Sequence, residues 1–171
     1  TAYSNVKPHR SRRLRWKYGK IAEERPAEQR TKDPNMSFSA FNFLISKDLF
    51  NAIQFDTLHN SYGHEDTLFG IRLSQNNICV KHIDNALIHC GLDTNEVFFD
   101  KTTASVENLY LMFRENPTLF NKTKLVQTFT TLEKANITTL FSQLFSFKKN
   151  ILKQLTIRTN SVFLLNLYKL A

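Results

Sequence analysis

Tyr62-Gly63-His64-Glu65-Asp66-Thr67-Leu68-Phe69-Gly70 joins a backbone-freeing glycine, two adjacent carboxylates and the start of an apolar-periodic segment. Leu68, Phe69, Ile71 and Leu73 recur at helical spacing, which predicts a helix over residues 65–75. Glu65 and Asp66 then fall in its first turn, where free backbone N–H groups and the positive end of the helix dipole keep carboxylates ionised. Neighbouring positions on a helix point roughly 100° apart, so one carboxylate can act on a reacting hydroxyl while the other binds the next one. An acidic first turn that merely complements the dipole has the same sequence. Tyr62 and Gly63 weigh toward the ligand, because an aromatic platform beside a flexible glycine suits the face of a sugar ring.

Working outward, residues 37–45 alternate apolar and polar side chains, with Phe38, Phe43 and Ile45 on the pattern, and predict a strand. Ser46 caps a short helix over 47–53. Ile78-Cys79-Val80 and Ala86-Leu87-Ile88 read as two further strands broken by Asp84-Asn85. From Asn95 the spacing turns helical, over 95–115, 119–135, 137–156 and 160–170. The fold expected is therefore α/β, with a core over 1–93 and a mostly helical extension over 94–171. Upstream, residues 1–8 read as the end of a strand or a loop. Residues 9–25 read as a basic helix or an ordered basic loop that Pro26 stops. Residues 27–34 form a polar, turn-prone connection.

The chain has 171 residues, 42% of them apolar, enough for a real core, and no apolar run long enough to span a bilayer. It opens on Thr1-Ala2-Tyr3 without an initiator Met or a signal-peptide pattern, and reads as a piece of a longer protein. Cys79 and Cys90 make neither a disulfide framework nor a metal quartet, and free thiols in a reducing cytosol are expected. The net charge of +8 is uneven. Residues 1–33 carry 10 basic and 4 acidic groups, a local +6; residues 34–101 carry 4 and 8, a local −4. Residues 137–171 add 5 basic groups and no acid. An acidic middle between basic flanks suits a site for a metal or a hydroxylated ligand, with basic surfaces for something anionic.

His89 ends an apolar run just before Gly91. An imidazole there serves either as a satisfied strand-end residue or as a ligand to an ion such as Mn²⁺, with carboxylates completing the shell. His82, Asp84 and the two cysteines lack zinc-finger spacing. His59 and His64 are read as loop residues. There is no Gly-rich phosphate loop and no nucleophile elbow. The Asn-X-Thr triplets at Asn121 and Asn136 are read as chance.

The runs SFSAFNFLISKDLF (37–50), FDTLHNSYGHEDTLFGIRL (55–73) and HIDNALIHCGLDTNEVFFDKT (82–102) resemble the C-terminal portion of bacterial family 2 glycosyltransferases. These are inverting enzymes of GT-A-type fold that build polysaccharides. The resemblance covers residues 36–110, and the basic segment 10–30 loosely. It implies Asp66 as the base that takes the acceptor's hydroxyl proton, and Glu65 as the carboxylate that hydrogen-bonds the acceptor sugar. Tyr62 takes the place of the aromatic that stacks on it, beside Gly63. Asn42 matches an element next to the donor, and His89 a ligand to a divalent cation, Mn²⁺ or Mg²⁺, on the donor diphosphate. The implied partners are a nucleotide-sugar donor and a glycan or lipid-linked acceptor. The family's nucleotide-binding half and its Asp-X-Asp motif are expected before residue 1; no Asp-X-Asp occurs in this chain, so the piece is expected to be inactive by itself.

The basic, apolar tail of 137–171, with Leu140, Phe141, Leu144, Phe145, Ile151, Leu152, Leu155 and Phe163, reads either as ordinary helix packing or as a surface for peripheral contact with anionic lipid. The corresponding location is cytoplasmic or on the inner face of the membrane. Arg residues around Trp16 and Tyr18 also fit phosphate contact and base stacking. The acidic middle and the lack of a groove-reading motif argue against nucleic acid. The alternative to an enzyme is a non-catalytic basic module that binds nucleic acid or anionic membrane.

Overall fold

Ser46 and Thr94 start their helices by the same local device. Each side-chain oxygen accepts from a first-turn N–H, that of Leu49 and Val97 respectively, at 3.3 Å in both cases. The computed structural model describes residues 1–55, 62–139, 143 and 148–170. Helix α1 (Arg13–Tyr18) follows a 3₁₀ turn at Arg10–Arg12 and runs into a π-helical turn at Gly19–Glu23. Then come α2 (Ala27–Thr31), α3 (Lys47–Ile53), α4 (Glu65–Gln75) and α5 (Asn95–Glu115). Short α6 (Pro117–Phe120) leads to α7 (Lys124–Lys134), and α8 (Lys149–Thr159) and α9 (Val162–Lys169) close the chain. The helices expected over 47–53, 65–75 and 95–115 stand at those bounds. The one expected over 119–135 begins late, at Lys124, after the separate turn of α6. Leu140, Phe141, Leu144, Phe145 and His59 lie outside the described residues.

Helix α4 is buried on two sides. Leu68 and Ile71 meet Leu109 and Met112 of α5, together with Phe120 and Val126. Phe69 and Leu73 turn to Ile53, Phe38, Phe50, Phe55, Ile78 and Val80. A third cluster joins Leu14 of α1, Phe98 and Phe99 of α5, and Leu165 of α9. The first and third clusters thus hold residues from both sides of position 93.

The expected α/β class is overturned. Residues 37–45, 78–80 and 86–88 carry strand-like patterning but form no ladder; among the described residues the one pairing is an isolated parallel bridge between Ala2 and Ile88. A strand needs a neighbour for its backbone groups, and patterning supplies none. Side chains take up part of that role. Buried Asn35 donates its Nδ2 to Ile78 O (2.7 Å) and accepts from Val80 N (3.2 Å). Arg30 donates to Ile83 O (3.0 Å) and Asn42 to Asn85 O (2.8 Å). A GT-A-type fold is built on a central sheet, so the resemblance to family 2 glycosyltransferases falls with the α/β class.

Asn95 ties the two ends of the chain together. Only 3% exposed, it accepts at Oδ1 from Leu14 N (3.0 Å) and donates from Nδ2 to Arg10 O (3.1 Å) and Asn160 Oδ1 (2.8 Å). Replacing it by Ala leaves buried donors and acceptors unpaired, a loss of about 2–4 kcal/mol. Urea denaturation reads this as a lower midpoint at constant slope. A midpoint equal to wild type would mean that water takes over these bonds at no cost.

Candidate functional site

Gly63 makes the approach to α4 possible. Its φ is +97°, and a Cβ there would lie 2.4 Å from Ser105 Oγ, so both the conformation and the space demand glycine. Its carbonyl accepts from Asn108 Nδ2 (2.7 Å), which docks the loop onto α5. Its N–H donates to Glu65 Oε1 (2.9 Å), so this carboxylate is partly occupied in closing its own turn. His64 follows at φ +71°. Burial holds its imidazole below the ordinary range.

Asp66 lines a cleft of about 900 Å³ and also the adjoining lobe of about 530 Å³. Asp66, Tyr62, His89, Arg15, Glu23 and Arg25 line both. Asp66 Oδ2 accepts from Ala40 N at 3.1 Å, with the Ser39 hydroxyl as a further partner, and among the described residues no ion pair reaches it. Burial pushes its carboxyl above the ordinary carboxylate range; the Ala40 N–H works against this, and the neighbouring Glu65 charge adds to it. The expectation that the helix dipole keeps this group simply ionised is therefore modified. Desolvation outweighs the favourable end of the helix. A carboxylate of raised basicity that lacks a counter-ion is chemically suited to take a proton.

Around it, Tyr62 is 53% exposed, with Lys101 Nζ 5.6 Å from its ring centroid; Lys101 in turn pairs with Asp93 at 2.9 Å. His89 is held between two rings, stacked on Phe41 (5.1 Å) and tilted against Tyr3 (5.6 Å). Its backbone N–H donates to Ala2 O (2.9 Å) and its Nδ1 lies 3.5 Å from the Tyr3 hydroxyl. Asn42 stands apart, exposed and lining a neighbouring groove with Asn85. The structure thus gathers Tyr62, Gly63, Glu65, Asp66 and His89 at one cleft, and leaves Asn42 outside it.

Tyr3, Arg15 and Glu23 were not legible as site residues. The Arg15 guanidinium meets both Glu23 oxygens at 3.0 Å and lies over the Tyr3 ring, and the buried Tyr3 hydroxyl donates to Glu23. Burial, with Glu23 beside it, pushes the Tyr3 hydroxyl well above its ordinary range. The one signal in the sequence was an Arg and a Glu at i and i+8 within the basic segment. Chain folding alone brings Tyr3 to them.

For a divalent cation the donor set does not fit. Among the described residues no three His, Cys, Asp or Glu side chains converge, and His89 is flanked by rings rather than carboxylates. Cys79 and Cys90 are exposed free thiols. The fold and cleft define a helical protein, strandless among its described residues, with a desolvated carboxylate beside an exposed aromatic ring. Compared with known protein families, characterised proteins and solved structures, the chain matches none.

Proposed function

We propose that the cleft is the acceptor side of a glycosyl-transfer site, in which Asp66 removes the proton from an acceptor hydroxyl as that oxygen attacks a nucleotide-activated sugar. The observation that carries this is Asp66 itself: desolvated, raised in basicity, without an ion-pair partner, and lining the same cleft as the exposed Tyr62 ring. Activation resides in the donor's diphosphate, so what the chain's own residues supply is a base and a platform. Asp66 takes the proton at a carboxylate oxygen, and the Ala40 N–H holds that carboxylate in place. The exposed Tyr62 ring offers a face to a sugar. No step is assigned to a metal ion. The decisive experiment is Asp66→Asn in the full-length protein, assayed for transfer from nucleotide sugars to a panel of oligosaccharides. Loss of turnover with acceptor binding retained supports the assignment, and full turnover refutes it.

A second reading, adhesion to an anionic membrane surface, is favoured by one feature of the tail. Ile151 (58%), Leu155 (46%) and Phe163 (73%) face solvent on helices that also carry Lys149, Lys153 and Arg158. Among the described residues no helix is long and apolar enough to cross a membrane. The expected outcome is co-sedimentation with phosphatidylglycerol vesicles but not with phosphatidylcholine vesicles, weakened by salt. Equal recovery in the supernatant with both would remove this reading.

A further inference from the structure

We propose that Arg25 forms an oxyanion subsite in the Asp66 cleft, taking a phosphoryl or carboxylate group of the bound ligand. Three arginines line the smaller lobe: Arg15, Arg25 and Arg30. Arg15 is committed to Glu23 through two bonds of 3.0 Å. Arg30 is held by the scaffold, donating to Ile83 O at 3.0 Å and lying 3.3 Å from His82 Nδ1. His82 Nε2 is 2.8 Å from Pro34 O, so this nitrogen carries the proton and Nδ1 is left to accept from Arg30.

Arg25 differs from both in that, among the described residues, its guanidinium makes no hydrogen bond and no ion pair; its Nε, like that of Arg30, is buried without a partner. Of the two carboxylates that line this lobe with it, Glu23 is taken by Arg15 and Tyr3, and Asp66 accepts from Ala40 N at 3.1 Å; the adjacent Glu24 lies 2.9 Å from Lys20 Nζ. A desolvated donor left unpaired costs free energy that an arriving acceptor recovers, and the guanidinium fork matches two oxygens of one anion. The backbone is prepared for this. Arg25 sits between the end of the π-helical turn and Pro26, whose ring restricts the residue before it to extended conformations. The flexible side chain thus springs from a fixed point at the cleft.

This subsite does not depend on Asp66 acting as a base, and the two fail separately. The test is calorimetric titration of the chain with pyrophosphate and, separately, with glucuronate, at near-physiological salt. Saturable binding of either is expected, weakened about 10–100-fold by Arg25→Gln, partly restored by Arg25→Lys, and retained in Asp66→Asn. Preference for pyrophosphate assigns a phosphoryl ligand, and preference for glucuronate a carboxylate ligand. If Arg25→Gln perturbs folding by circular dichroism, Arg25→Lys alone is compared with the wild type. Binding that is absent in the folded wild type, or indifferent to both substitutions, overturns the proposal.

Discussion

Asp66→Asn in the full-length protein is expected to lower turnover by about 10²–10⁴-fold, the usual worth of a positioned general base, while acceptor affinity stays within a few-fold. Asn keeps an oxygen for the Ala40 N–H and removes only the proton acceptor. The pH profile gives an independent reading. A base works only when deprotonated, and burial raises this carboxyl. The acidic limb of the rate should therefore lie above the ordinary carboxylate range, and activity should fall as pH drops through it. For stability the sign is reversed. A raised folded-state pKa contributes stability that is complete below the unfolded value and is lost as pH rises through the folded one. Above its folded-state pKa the ionised Asp66 is a burden on the fold, so there the Asn variant should be at least as stable as the wild type. A variant that loses turnover because it unfolds would contradict this, since its urea midpoint would fall together with its rate.

Phe69→Ala is expected to cost about 3–5 kcal/mol, the range for emptying a buried aromatic site. Phe69 is 1% exposed and its ring meets those of Phe55 (4.4 Å), Phe38 (5.0 Å), Phe43 (6.4 Å) and Phe50 (6.4 Å). These rings come from α3, from the segment before it and from the residues after it, and each packs on α4. A cavity here also loosens residues 38–43, which include the Ala40 N–H that holds Asp66, so activity should fall beyond the loss of folded protein. Phe69→Leu should recover most of the stability. Urea denaturation and a rate normalised to the folded fraction separate the two effects. A loss below 1 kcal/mol would mean that the cluster closes over the gap.

The helices were legible for local reasons. Ser46 and Thr94 satisfy N–H groups three residues on, and the apolar spacing of α4 and α5 repeats within their own length. The Tyr62–Asp66 half of the site came with them, because a turn glycine and a first-turn carboxylate are near neighbours in sequence. The strands were misread because alternation in 37–45 or 78–88 states which faces are apolar and not whether another backbone lies alongside. In the structure Asn35, Arg30 and Asn42 bond to those segments instead. Asn42, read as part of the donor site, is spent on Asn85 O for the same reason.

What the sequence determined unaided is where helices begin, which of their faces are apolar, and that a glycine precedes two carboxylates at the head of α4. All of these follow from contacts a few residues apart. Tertiary structure alone decided that Asp66 is desolvated, that Tyr3 reaches Glu23 and Arg15, and that among the described residues Asp66 has no counter-ion and Arg25 no acceptor. Desolvation and charge pairing depend on groups brought together from distant positions, and neither can be computed from neighbours along the chain.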